Sequence, residues 1–236
     1  MTVSTISVGF LFADFAPLIP LLAPALGISE AQAGLFAVAS GALYVIGTLA
    51  TTGLPDRHGP KPVIAAGLAT GVVAVVVIAA APTFGVALVG KGLAGIASSL
   101  TFVAGARYIA GLYGARRSHM ALGFYGGGYP LGGALALALM PRFAAATGDW
   151  RGAFWIEAAL IAVCLGLWIL ATPVPPVPRR GSIRDAFRCA NCWWAGVQHS
   201  GFAVATAAGA WISLYLLREF DLPLAAAGAL GSLLLF

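Results

Sequence analysis

Three ionisable residues stand where such residues are costly. Asp14, Lys91 and His199 each lie inside a long apolar run of a 236-residue chain that is 60% hydrophobic and 9% charged. A charge at the centre of a bilayer costs at least about 2.5–3.5 kcal/mol on insertion scales, so an embedded ionisable group is a candidate for function. Asp14 can hold a proton or a cation, contact a bound solute, or hydrogen-bond to a neighbouring helix. Pro17, Pro20 and Pro24 follow it, and each removes a helix donor, the kind of break that borders a site near the membrane midplane. Lys91 shares a helical face with Gly95, Ser98 and Phe102. It can hold an anion, pair with Asp14 as the proton state changes, or extend its ammonium to the interface. His199, beside Gln198, opens a polar stripe continued by Thr206 and Ser213. Its imidazole titrates in the physiological range, and a structural role is the alternative. Glu157 lies about one turn into its run and is expected at the interface near Arg151.

The elements that position these groups follow from composition. A soluble domain is about 25% charged, so this is an integral membrane protein. Spans of roughly 20 apolar residues fall at about 5–26, 32–53, 62–81, 84–106, 120–143, 153–172 and 192–216. A further apolar run, Leu222–Phe236, has 15 residues, or about 22 Å of helix, short of a hydrocarbon core of roughly 30 Å. The chain is therefore expected to be a fragment or truncated product, with no coupled flux of its own. The first run lacks a basic leader and carries Asp14, so it reads as a membrane helix and not a cleaved signal.

Basic residues set the orientation. Nine (Arg57, Lys61, Arg107, Arg116, Arg117, Arg179, Arg180, Arg184 and Arg188) fall in alternate loops, against three (Arg142, Arg151 and Arg218) in the others. That asymmetry predicts a cytoplasmic N-terminus in an inner membrane. Apart from Lys91, the Lys and Arg residues behind the net charge of +5 fall in these short loops and not along one face, so nucleic acid is not expected as a partner. Three cysteines, Cys164, Cys189 and Cys192, make no disulfide framework, and no second ligand pair accompanies Cys189 and Cys192. No metal site, cofactor site or catalytic triad is present in the pattern, so no enzyme is expected.

The fifth span carries Gly123, Tyr125, Gly127, Gly128, Tyr129, Pro130, Gly132 and Gly133. The pairs Gly123/Gly127 and Gly128/Gly132 have small-x-x-x-small spacing, which admits close helix contact, and Pro130 permits bending. Tyr125 and Tyr129 either face a solute or pack as aromatics. The connector from Thr172 to Arg188 is rich in proline and arginine, hence extended and semi-rigid. It divides the chain into 1–172, a linker at 173–190, and 191–236.

The loop after span two reads Thr52-Gly53-Leu54-Pro55-Asp56-Arg57-His58-Gly59-Pro60-Lys61. Asp56 to Gly59 has a counterpart in Asp149 to Gly152 on the opposite side, as two inverted three-helix units would give. Leu54, Asp56, Arg57, Gly59 and Lys61 match in register a Gly-x-Leu-Ala-Asp-Arg-x-Gly-Arg-Lys loop, and with the span pattern the chain resembles the major facilitator superfamily of secondary transporters. Thr52, Pro55 and Pro60 depart from that loop. Lys91 stands where many members carry an embedded Arg, and Asp149-Trp150-Arg151-Gly152-Ala153-Phe154 resembles their loop before span six. Members that are proton antiporters carry Gly-x-x-x-Gly-Pro-x-x-Gly-Gly in span five, matched here in part.

The resemblance implies an all-α six-helix bundle, then one complete helix and part of another from a second bundle. It implies transport of a small solute by alternating access, coupled to a proton or another ion, with Lys91 tilting the solute towards small anions. Proton-driven efflux of a lipophilic compound and a truncated, non-transporting membrane protein are the alternatives. Spans one, four and seven line the family's central cavity, and Asp56 and Arg57 are implied as gate residues closing the cytoplasmic side, partly against the absent second bundle.

Overall fold

The computed structural model describes residues 2–171, 173 and 188–233, and of residues 115–117, 171, 192, 195 and 198–210 the backbone alone. The described residues are helical, with no strand. α1 (Thr2–Ala13) ends beside Asp14, a 3-10 turn covers Ala16–Leu18, and α2 (Ile19–Leu26) completes the crossing. The break lies where Pro17 and Pro20 remove donors. After α3 (Glu30–Ala33) come α4 (Leu35–Thr51), the short α5 (Leu54–His58) and α6 (Pro60–Ala79).

α7 (Phe84–Thr147) is two helices in one. Gly114 alone leaves helical geometry, at φ 65° and ψ 172°, a region open to glycine at no steric cost. The arms fold against each other, since the Tyr125 hydroxyl donates to the Thr101 and Phe102 carbonyls at 3.1 and 3.0 Å. A loop was expected between spans four and five, and a one-residue hinge is found. α8 (Trp150–Ala171), α9 (Ala190–Glu219) and α10 (Leu224–Leu233) follow.

Among the described residues, five helical stretches are long and apolar enough to cross a bilayer: Thr2–Leu26, Glu30–Thr51, Pro60–Ala79, Phe84–Gly114 and Trp150–Leu170. The second arm of α7 runs through the expected fifth span, where glycines, tyrosines and Pro130 dilute the apolar character. The outer surface is apolar, with Leu170 86% and Leu49 70% exposed, as lipid-facing side chains must be.

Side-chain contacts sort the connections into two ends. At one, Arg107 pairs with Asp56, Trp168 Nε1 donates to the Lys61 carbonyl and the Tyr108 hydroxyl to the Pro173 carbonyl. At the other, Arg151 donates to the Ala81 carbonyl and Arg218 pairs with Glu30. The two Asp-x-x-Gly stretches differ in conformation. Gly59 turns the chain at φ 82°, whereas Gly152 lies inside α8, and the Asp149 carboxylate accepts from the Arg151 N–H near that helix's start.

Small residues let the helices touch, though not at every expected position. A Cβ on Gly128 or Gly132 would meet Thr5 or the Ile6 carbonyl of α1, while Gly123 and Gly127 face open space. Gly132→Ala should therefore lower stability by about 1–3 kcal/mol through overpacking, and Gly127→Ala should not. Thermal unfolding of the two variants in detergent checks the difference.

Candidate functional site

The site is built where α1 stops. The last carbonyls of a helix have no partner in the next turn, and α1 ends at Ala13, so the Leu11 carbonyl is free to accept. The Lys91 ammonium, from the first arm of α7, donates to it at 2.5 Å and to Asp14 Oδ1 at 2.6 Å. It also lies 5.0 Å from the centroid of the Phe15 ring, within cation–π range. Both side chains are buried, Lys91 at 1% and Asp14 at 0% exposure. A helix C-terminus favours a nearby cation, so the break in α1 supplies a carbonyl, a dipole end and a carboxylate together.

Glu157 belongs to the same region. It was expected at the interface near Arg151, but α8 presents it inward at 1% exposure. Arg151 is turned away, donating to the Ala81 carbonyl at 2.8 Å with its guanidinium 4.3 Å from the Trp150 ring. Neither Glu157 oxygen has a hydrogen-bond partner, nor has Asp14 Oδ2. One turn further along α8, Ile161 meets Leu11 and Ala97 around Gly71, so this face of α8 is turned towards α1 and the first arm of α7.

The remaining expected residues divide. On the Lys91 face, a Cβ on Gly95 would meet the Ser40 carbonyl of α4, and Ser98 is fully buried. That face is packed, not open, until it reaches Phe102. There a group of rings begins: Phe102 lies 5.5 Å from Tyr125 and 6.4 Å from Tyr129, and Phe12 lies 5.8 Å from Tyr129 and 5.6 Å from Tyr44. Tyr125 is buried and held by backbone carbonyls. Tyr129, Phe12, Phe102 and Tyr44 are half-buried. Gly133 sits with its N–H against Gly9 of α1, and Pro130 continues the helix. Gln198 and His199 lie on the backbone of α9, and their side chains fall outside the described residues.

The loop residues have partners within the bundle. Asp56 pairs with Arg107 at 3.3 Å, a partner expected from the sequence only as one of the basic residues that set orientation. Arg57 is exposed, and Gly59 provides the positive φ that ends α5. At the other end, Leu214, Leu217 and Arg218 of α9 face Ile19, Pro24 and Glu30 across a cavity of about 540 Å³. Among the described residues no cluster of His, Cys, Asp and Glu could hold a metal ion.

The sequence profile described as the Major Facilitator Superfamily matches residues 1–236. No curated protein matches the chain. Among solved structures it is similar to a bacterial homologue of the human lysosomal transporter Spinster, in an inward-facing, unoccupied conformation. The TM-score is 0.78 at 18% identity, covering 99% of this chain and 58% of that one. The inward-facing, occupied form also gives 0.78 at 18%, covering 99% and 57%. A structure from work on substrate recognition in proton-dependent oligopeptide transporters gives 0.61 at 19%, covering 94% and 55%. The likeness is one of fold, and the chain spans less than two thirds of each neighbour's length.

Removing one partner of a buried pair leaves a charge uncompensated, at about 3–5 kcal/mol. Asp14→Asn and Lys91→Met should each destabilise the protein to that extent. The double variant should lie nearer the wild type than either single. Unfolding free energies from the four-member cycle measure this, and additive losses would show that the pair does not act as a unit.

Proposed function

Because the chain belongs to the Major Facilitator Superfamily, we propose that it works as part of a secondary active transporter of a small solute. The observation that carries this reading is the buried Asp14–Lys91 pair, set at a helix break in the middle of the bundle. Two charges in a dry interior are costly to keep, and transport gives a reason to keep them. Protons are the proposed coupling ion, with Asp14, Lys91 and His199 as carriers. The protein is read as a multi-pass inner-membrane component with a cytoplasmic N-terminus. In this reading residues 1–172 form one bundle, 173–190 the linker and 191–236 the beginning of a second bundle that rocks against the first.

The two ends of the bundle then act as the two gates. At the proposed cytoplasmic end, Asp56 and Arg107 brace the loop after α4 within the first bundle, leaving Arg57 exposed for the second. At the outer end, the ion pair of Arg218 with Glu30 and the seat of Trp211 against Gly34 join α9 to the corner around α3.

A small anion remains the proposed solute, and it would meet Lys91 only after the pair with Asp14 opens, since Lys91 is fully engaged here. The half-buried rings of Phe12, Tyr44, Phe102 and Tyr129 favour a second reading, proton-driven efflux of a lipophilic compound.

The full-length protein, reconstituted in liposomes loaded with a pH-sensitive dye, tests both. A panel of small carboxylates, phosphate and sulfate should include one that drives proton flux, and Lys91→Ala should reduce that flux to the level of protein-free liposomes. If every tested anion moves equally well with Lys91→Ala, the anion reading fails. If none moves protons in the wild type but a lipophilic cation does, efflux is the better account.

A further inference from the structure

The Asp14–Lys91 pair accounts for two of the three ionisable groups buried in this part of the bundle. The third, Glu157, is fully buried with both oxygens unpartnered. α1 and α7, which carry Asp14 and Lys91, both pack on α8, and one turn from Glu157 the Ile161 side chain comes together with Leu11 of α1 and Ala97 of α7 around Gly71. α6 also packs on α8, and its single charged residue, Lys61, belongs to the opposite end. On α8 itself Arg151 is committed to the Ala81 carbonyl and the Trp150 ring, and Cys164 is the remaining titratable group within two turns.

The charge count does not close. With both carboxyls ionised, one ammonium would face two negative charges in a dry interior. An ion left unpaired there is costly, whereas a neutral carboxyl costs far less. One more positive charge is required, as a metal ion or as a proton. No group of His, Cys, Asp and Glu among the described residues could hold a metal ion, and a proton needs no cavity. Lys91 is already bonded to Asp14, so Glu157 is the oxygen-bearing group left to take it.

We propose that Glu157 is a proton-binding site coupled to the Asp14–Lys91 pair. In the state described it is a carboxylic acid, while Asp14 is the counter-ion of Lys91. When water reaches the site, the proton passes from the Glu157 carboxyl oxygen to a water molecule and leaves a carboxylate. That carboxylate competes with Asp14 for the Lys91 ammonium, which changes partner between α1 and α8. Proton loss is thereby turned into a shift of attachment between two helices that both contact α7. The use of this exchange in transport rests on the transporter reading. The proton site itself does not.

Infrared difference spectroscopy of the purified chain in bilayers tests the site without any transport assay. The wild type at neutral pH should show the carbonyl stretch of a protonated buried acid, shifted in deuterated buffer and lost on raising pH. Glu157→Gln should lose that band. Lys91→Met, which strips Asp14 of its counter-ion, should gain a second band, an effect that a purely packing role for Glu157 would not produce. A wild type without the band, a band that survives Glu157→Gln, or a Lys91→Met protein with no added band would each overturn the proposal. If the bands behave as expected while the full-length protein moves no solute, the transporter reading fails and the proton site stands.

Discussion

The structure depends on one ion pair that the membrane makes expensive. Moving a carboxylate and an ammonium out of water costs several kcal/mol per ion after relaxation, and their attraction repays it only with good geometry and further hydrogen bonds. Both conditions are met by interrupting a helix. Stopping α1 at Ala13 leaves the Leu11 carbonyl for Lys91 and brings the Asp14 carboxylate to the same nitrogen. The prolines of the first span are thus part of the electrostatics as well as of the shape.

Packing around the pair follows from the same constraint. Lys91 can reach α1 only if α7 lies close to it, and α7 packs on α1 and α4 with glycines at the close approaches. Gly9 and Gly132 admit backbone-to-backbone contact between α1 and the second arm of α7, and Gly95 admits contact between α4 and the first arm. In a bilayer the hydrophobic effect does not press helices together, so close approach through small residues has to supply the attraction. Apart from the pair itself and the Tyr125 hydroxyl, the polar tethers between elements among the described residues lie at the two ends of the bundle, where water can share their cost. They include Asp56 with Arg107 and Trp168 with Lys61 at one end, and Arg218 with Glu30 and Arg151 with Ala81 at the other.

Much of this was legible in the sequence. The apolar runs, the loop with Asp56 and Gly59, and the embedded Asp14 and Lys91 all announce themselves, because charge and glycine are conspicuous against an apolar background. Partners were harder to read. Asp56 meets Arg107 across 51 positions of chain, and nothing local marks that contact. The burial of Glu157 is not legible from its distance to the helix start, because helical phase decides which face is covered. Ala153, Ile161 and Cys164 share its face and are buried, whereas Leu160, Val163 and Leu167 are exposed. In a membrane helix both faces are apolar, so the signal is small against large side chains, a weaker contrast than polar against apolar. Half of the glycine pattern misled for a related reason: spacing identifies a stripe that can be packed, and only the position of α1 decides that Gly128 and Gly132 are covered while Gly123 and Gly127 are not.

The whole arrangement turns on Lys91 being a charged ammonium bound to Asp14 inside the bundle. Solid-state NMR of the protein in bilayers, labelled with nitrogen-15 at lysine and carbon-13 at aspartate, reads this directly. A cross-peak between Lys91 Nζ and Asp14 Cγ is expected, with Nζ at an ammonium shift. A neutral-amine shift for Lys91 with no cross-peak to Asp14 would contradict it.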